Sequence, residues 1–476
     1  MTSRFKGATV HADLGEAFFD AVSPAGFPKT ILRYRNQRWA ERMGLATLGD
    51  AEWIAHFGRF LPLPGSLPAP LALRYHGHQF QSYNPDLGDG RGFLFAQGYD
   101  RVDGRLLDFG TKGSGTTPWS RGGDGRLTLK GGVREILATA MLEALGVETS
   151  KSFSLIETGE DLYRSDEPSP ARSSVLVRLS HSHIRIGTFQ RLAHLGDHAG
   201  LARLVEHVIT HYYPALTDLP TDDRVPALLG AMAEAVARVT AQWTGAGFVH
   251  GVLNTDNTNI TGESFDYGPW RFLPRYDPRF TAAYFDTTGL YAFGRQPDAM
   301  AWNLTRLAEC LLPLSSVDRL EPELNRFWPA FQAQLGAVVV RRLGLVPQGE
   351  TADMGLSGAV FAFMAAQRPA YEQMFFDWRG GLVSLERALA GPQASLYTGE
   401  SFEAFRRVLE AYDAAPEANL DHAYFQGDRP RTMLIEEVEA IWAAIAEHDD
   451  WSALENALAE IEDMGRASAA VDFTIN

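Results

Sequence analysis

Hydrophobic residues recur along this chain with two different periods. Over 199–212, 225–244, 297–312 and 317–343, and again over 371–390, 401–412 and 431–462, they return every three to four positions, which lays an apolar stripe along a helix. Before residue 199 the texture differs. Gly92–Gly98, Arg105–Lys112, Ser152–Glu157 and Ser174–Leu179 are short apolar runs bounded by turn residues, so each predicts a strand. The polar stretch EDLYRSDEPSPARS between the last two predicts a hairpin with a long tip. One helix interrupts the strands over 128–145, where Val133, Leu137, Ala140, Met141 and Ala144 repeat at helical spacing before Gly146 stops it. Residues 1–70 read as one or two short helices wrapped in loop. They close on Pro62, Pro64, Pro68 and Pro70, which fix φ and lack a donor and so exclude a central strand there. Segment 248–295, rich in Asn, Asp, Gly, Tyr and Phe, interrupts the helical half.

This order of parts predicts an α+β fold in which a small β-rich lobe precedes a larger helical one and ligand binds between them. The expected divisions are an extension over 1–70, an N-lobe over 71–180, a C-lobe over 181–345 and a helical extension over 346–476. No internal repeat of 20–50 residues is visible. Composition narrows the function classes. Apolar residues make up 45% of the 476 and charged residues 21%, which is ordinary globular usage and excludes disorder throughout. The formal charge of −16 argues against general nucleic-acid or anionic-membrane binding. It leaves room for an anionic small molecule if basic groups converge locally or a metal ion bridges the charges. The one cysteine, Cys310, excludes an internal disulfide and a multi-cysteine metal site, and its leucine neighbours suggest a buried small hydrophobe. No stretch approaches a membrane span, and the opening residues hold no apolar signal core, so a cytoplasmic protein is expected.

Three Gly-rich polar elements carry candidate chemistry: Leu87-Gly-Asp-Gly-Arg-Gly92, Lys112-Gly-Ser-Gly115 and Gly122-Gly-Asp-Gly-Arg126. Glycine lets backbone N–H groups approach an anion, and Arg91, Lys112 and Arg126 add charge. None fits a P-loop or a dinucleotide-binding turn, and three plain β-turns are the alternative. Lys112 ends a strand-like run, and Glu135 follows 23 residues later on the predicted helix. That is the order of the kinase lysine and its helix carboxylate, although two exposed side chains would satisfy the same spacing. The sharpest signal is His250-Gly-Val-Leu-Asn-Thr-Asp-Asn257 followed by Asp266-Tyr-Gly268, which lies over the kinase catalytic loop and its metal-binding Asp-Phe-Gly. Asn257 and Asp266 match the metal-binding pair, whose oxygens suit Mg²⁺ carried by nucleotide phosphates. The catalytic aspartate position is Val252, which accepts no proton, and Asp256 is the nearest substitute. A loop that merely caps helices is the competing reading. Arg178 and Arg185, seven apart, are natural phosphate clamps if they reach the same cleft, and surface ion pairs if they do not. His181 and His183, like His76 and His78, lack accompanying ligand residues and read as structural.

With these motifs on the page, the chain resembles the selenoprotein O family of kinase-fold protein adenylyltransferases. Gly77-His-Gln-Phe80, Leu87-Gly-Asp-Gly-Arg91, Lys112-Gly-Ser-Gly-Thr-Thr-Pro118 and Ser120-Arg-Gly-Gly-Asp-Gly-Arg126 are similar to its N-lobe signatures. Arg134-Glu135, Ser182-His-Ile-Arg185, the 250–257 and 266–269 motifs and Trp302-Asn-Leu-Thr-Arg-Leu-Ala308 continue the likeness, which runs from about 30 to about 345. The resemblance implies a bilobal, protein-kinase-like pseudokinase fold that binds ATP flipped and transfers AMP to Ser, Thr or Tyr hydroxyls of proteins, the chain itself among them. It implies that Gly88, Gly90, Arg91, Lys112, Asp124, Gly125, Arg178 and Arg185 hold the nucleotide, with Glu135 orienting Lys112. Asn257 and Asp266 would bind Mg²⁺ or Mn²⁺, and Asp256 would accept the proton. Many relatives end in a cysteine- or selenocysteine-containing redox motif. This chain ends Val-Asp-Phe-Thr-Ile-Asn, so control through such a disulfide is not expected. A phosphotransferase, a UMP transferase on the same fold and an inactive nucleotide-binding scaffold are the competing functions.

Overall fold

Strands come first along the chain, and most of them join one sheet. In chain order they are β1 (Gly7–Ala8), β2 (Phe19–Ala21), β3 (Ile31–Arg35), β4 (Leu71–Leu73), β5 (Gly77–Gln79), β6 (Ser82–Asn84), β7 (Leu94–Tyr99), β8 (Leu106–Lys112), β9 (Leu127–Thr128), β10 (Lys151–Leu162) and β11 (Ala171–Ser180). The computed structural model describes residues 5–164 and 167–468, so the residues at 165–166 and the terminal Val-Asp-Phe-Thr-Ile-Asn lie outside the described residues. Nine strands form an antiparallel sheet in the order β2-β4-β7-β8-β11-β10-β3, with β1 added to β7 and β9 to β11. Strands β5 and β6 make a separate hairpin.

Both faces of this sheet are covered, which explains its nearly unbroken apolar runs. On β11, Val175, Val177 and Leu179 face a core shared with Trp53 and Phe57 of the helix pair α1 (Gln37–Arg42) and α2 (Asp50–Phe57). The alternate position Leu176 packs with Val133, Ile136 and Leu137 of α3 (Leu129–Ala144). The side chain of Thr128 caps α3 by accepting from the Gly131 amide, and Gly146 at φ 81° ends it, as its glycine predicts.

The rest of the chain is helical: α4 (Ile186–Leu195), α5 (His198–Tyr212), α6 (Thr221–Ala246), α7 (Gln296–Leu311), α8 (Val317–Leu324), α9 (Phe327–Arg342), α10 (Glu350–Gln367), α11 (Tyr371–Asp377), α12 (Leu385–Ala390), α13 (Gly399–Leu409), α14 (Ile435–His448) and α15 (Ser452–Ala467). A two-stranded ribbon, β12 (Phe248–Val249) and β13 (Arg271–Phe272), brackets the loops between α6 and α7. The core under α3 runs on into α5, α6 and α7, while α9, α10, α11 and α13 enclose a second one.

Four sequence expectations are corrected. The segment before residue 70 holds α1 and α2 but also gives three strands to the sheet. The periodic run 317–343 is two helices, parted at Asn325 and Arg326, with Pro329 in the first turn of α9. Runs 371–390 and 431–462 are likewise divided, the second at Asp449, which adopts a left-handed φ of 49°. Helices α4 and α10 fall outside those periodic runs: α4 spans only ten residues, although Ile186, Phe189 and Leu192 share its buried face, and Gly355 and Gly358 dilute the pattern of α10.

Candidate active site

Strand β8 ends at Lys112, and its register with β11 sets Lys112 opposite Leu176 and Gly110 opposite Arg178. The period of two therefore points Lys112 and Arg178 to the same face, toward α3. There Glu135, fully buried, bonds the Lys112 ammonium. Lys112 Nζ also lies 3.0 Å from Asp266 Oδ1, and Arg178 Nη1 donates to that same oxygen at 2.9 Å. Arg178 stands 3.9 Å from Glu135 as well, so two cations interleave with two carboxylates. Burial pushes the Asp266 carboxyl up, but Lys112, Arg178 and Arg91 outweigh it and hold the group well below the usual carboxylate range.

The loop between β12 and β13 supplies the other half of the site. His250 is buried and its Nε2–H donates to the Phe265 carbonyl at 2.9 Å, which seats Asp266 at a left-handed φ of 66°. Asn303 of α7 donates to the Leu253 carbonyl and the Thr258 hydroxyl, both at 3.0 Å, pinning the loop at each end. Asn257 Nδ2 then reaches Asp266 Oδ2 at 3.1 Å. Backbone bonds from Ile186 to Thr258 and from Ile260 to Ile184 bring Arg185 alongside. Its guanidinium covers the Tyr75 ring at 4.1 Å, donates to the Asp256 carbonyl at 3.2 Å and stands 3.5 Å from Asp89. Arg178 and Arg185 are both buried, which excludes the surface-pair alternative.

Asp256 occupies the edge of this array. Its Oδ1 is buried without a hydrogen-bond partner, and burial pushes the carboxyl up to about 6 despite Arg185. Gly77 leaves the room for it: a Cβ there would stand 2.9 Å from Asp256 Oδ1. Val252 offers no oxygen or nitrogen in its side chain.

The Gly-rich turns pack on one another. The Ser120 hydroxyl donates to the Gly90 carbonyl at 2.5 Å, and a Cβ at Gly88 would strike the Trp119 ring. The Gly113 amide donates to the Arg91 carbonyl at 2.6 Å, and the Gly115 amide to Gly125 at 3.1 Å. The loop holding Gly88, Gly90 and Arg91 thus joins the Lys112 array through Asp89 and the Lys112–Gly115 turn. Asp124 does not: it is exposed and bonded by Arg164 at 2.8 and 3.1 Å. Cys310 and His183 are buried outside the array, the latter 3.5 Å from Asp108.

Sequence reasoning quoted Gly77 and Asn303 within motifs but gave them no role, and it missed Tyr75. Asp89 stood inside a Gly-rich turn with only its neighbours singled out. Nothing in their spacing distinguishes such supports from ordinary residues. Among the described residues no three His, Cys, Asp or Glu side chains cluster as a metal site. A cavity of about 870 Å³ lies elsewhere, between α1, α3, α6 and α15, and none of the Lys112 array lines it.

A family model described as "Protein adenylyltransferase SelO" matches residues 3–462. The chain is 43% identical to a protein of Synechocystis sp. over 95% of this chain and 97% of that one. It is 44% identical to one of Gloeobacter violaceus over 92% and 91%. Identity to a Synechococcus elongatus protein is 53% over 70% of this chain and 67% of the relative. All three relatives are named "Protein nucleotidyltransferase YdiU". On a match that spans nearly its whole length, the chain belongs to the SelO family of protein adenylyltransferases.

Proposed function

We propose that this protein transfers AMP from ATP to Ser, Thr or Tyr hydroxyls of proteins, itself included, with release of pyrophosphate. The observation that carries the reading is the exchange of positions in one loop. Val252 stands where a kinase keeps its base, while Asp256, with a buried and unpartnered oxygen, adjoins Asn257 and the Lys112–Glu135–Arg178–Asp266 array. We read 71–180 as the core of the smaller lobe of a kinase-like pair, to which the segment before 70 adds three strands with α1 and α2, and 181–345 as the larger lobe, extended by the helices after 345.

ATP would lie reversed relative to a kinase, its α-phosphate beside Asp256. Lys112, Arg178 and Arg185 would hold phosphate oxygens, with Glu135 fixing Lys112. The turn at Gly88, Gly90 and Arg91 would close over the nucleotide, joined by the backbone of the Asp124–Gly125 turn, whose aspartate side chain is held aside by Arg164. The donor set fits Mg²⁺ or Mn²⁺: one carboxylate, one amide oxygen and open positions for phosphate oxygens, and no cage of protein ligands. Once bound, the ion would neutralise phosphate charge and draw electron density from the reacting phosphorus. Asp256 would take the proton of the acceptor hydroxyl as its oxygen attacks, a step worth roughly 10²–10⁴-fold. α-Labelled ATP should label the protein or an added acceptor, γ-labelled ATP should not, and Asp256→Ala should abolish labelling while ATP binding persists. Labelling from the γ position would restore a phosphotransferase, and a preference for α-labelled UTP would make it a UMP transferase.

A further inference from the structure

The hairpin β5–β6 reads the catalytic loop residue by residue. Gly77 packs under Asp256, the His78 amide donates to the Thr255 hydroxyl at 2.7 Å, and the Phe80 amide donates to Asn254 Oδ1 at 3.0 Å. Moving along the loop from Asn257 to Asn254 therefore leads away from the phosphate side and out to Phe80. What it reaches is unusual in two independent ways.

The first is backbone strain. Gln79 pairs with Ser82, so Phe80 and Gln81 form a two-residue turn, with φ at 49° and 63°. Such turns favour Asn-Gly, and a bulky aromatic in this conformation is costly unless its surroundings enforce it. The second is exposure. Phe80 is 39% exposed, Phe285 47% and Tyr284 83%, yet they form one ledge. Ring centroids of Phe80 and Phe285 lie 5.9 Å apart, and those of Tyr284 and Phe285 5.2 Å. Tyr291 supports it from below, 5.1 Å from Phe80, with its hydroxyl on the same Asn254 Oδ1 at 2.8 Å. Exposed aromatic clusters mark interaction surfaces, and rigid rings are the usual anchors of protein contacts.

We infer that Phe80, Tyr284 and Phe285 seat the acceptor segment of the protein substrate and select hydroxyl residues flanked by apolar side chains. The inference rests on the transfer reaction proposed above. Its occupant follows from continuity: Asp256 must face the hydroxyl, the array from Asn257 onward faces phosphate, and the ledge is joined to the other end of the same loop. Asn254, held by both Phe80 and Tyr291, ties ledge and catalytic loop into one piece.

The test uses the full chain and lysine-solubilised nonapeptides with a single central Ser, Thr or Tyr, flanked either by leucine and phenylalanine or by glycines. With α-labelled ATP, the unaltered protein should label an apolar-flanked peptide at a KM at least tenfold below that of its glycine-flanked counterpart. The double variant Tyr284→Ser/Phe285→Ser, confined to exposed side chains, should bring the ratio close to one while leaving ATP affinity within twofold. Phe80→Gly, which removes the ring and relieves the turn, should do the same. A ratio that survives these changes overturns the ledge and leaves the transfer reaction standing. Absence of α-label in every peptide and in the unaltered protein overturns both. A change in oligomeric mass of the variants with peptide KM unaltered would assign the ledge to a second copy of the chain and overturn the inference.

Discussion

Lys112, Glu135, Arg178 and Asp266 make an alternating set of charges in which each side chain meets two of the opposite sign. Removing one member leaves the others buried and unbalanced, and that penalty exceeds what the pair contributes when whole. Glu135→Gln is expected to destabilise the fold by about 3 kcal/mol, because Glu135 is fully buried and Lys112 loses its nearest counter-charge. Chemical denaturation of Lys112→Ala, Glu135→Gln and the double variant should return a coupling well above the ~0.5 kcal/mol of independent sites. Additive losses would mean that the ammonium and the carboxylate do not meet in solution. The order of the kinase-like residues was legible in the sequence at this scale. Their contact was not, since a separation of 23 residues is equally compatible with two solvated side chains.

At the level of elements, the 250–257 loop is held from three sides: by Asn303 on α7, by the 184–186 segment that opens α4, and by the β5–β6 hairpin. Gly77 sits at the tightest of these contacts. An added methyl would press on the Asp256 carboxylate and on Leu87 Cδ1 at 3.0 Å, and a carboxylate turns aside more easily than a backbone moves. Gly77→Ala should therefore cost about 1 kcal/mol or less of stability, yet lower AMP transfer ~10²-fold, since a shift near 1 Å at a reacting group suffices for that. Calorimetry should show ATP binding preserved; a loss of binding equal to the loss of rate would place Gly77 elsewhere in the mechanism. The long strands could be read from their apolar runs because the sheet is covered on both faces, and α3 from its helical period because its apolar stripe is buried. Strands of two or three residues in the first seventy could not, because their partners, such as Gly98 for Gly7, lie far along the chain. Asp124 shows the complementary difficulty. Its glycine-rich setting suggested phosphate, whereas the side chain turns out to Arg164 on a hairpin whose reach no local pattern reveals.

Across the whole molecule, charge and burial set the response to solution conditions. His11 and His207 are buried within 6.3 Å of each other, and burial pushes them down to about 4 and about 3. Their folded values lie below the ordinary 6.5, so the unfolded chain takes up protons that the folded chain refuses. The stability they support is complete above pH 6.5 and is lost as pH falls toward 4, each adding up to about 1.4 kcal/mol per pH unit. Urea midpoints should drop over that window, and His207→Phe should lessen the slope by about one proton; an unchanged slope would show that His207 is already charged in the fold. A different consequence follows from the balanced array around Asp266. Lys112, Arg178 and Arg185 are matched by Glu135, Asp266 and Asp89, so this set of six adds no net charge of its own inside a chain of −16. A free nucleotide must approach against the repulsive long-range field of the chain, which the exposed Arg91 and Arg121 near Asp266 and Asp256 offset only at short range, and metal chelation halves the charge it brings. Ionic strength should then act in the direction opposite to that of a cationic trap. Stopped-flow association of ATP ought to quicken as sodium chloride rises from about 20 to about 300 mM, with the smaller acceleration for the magnesium complex.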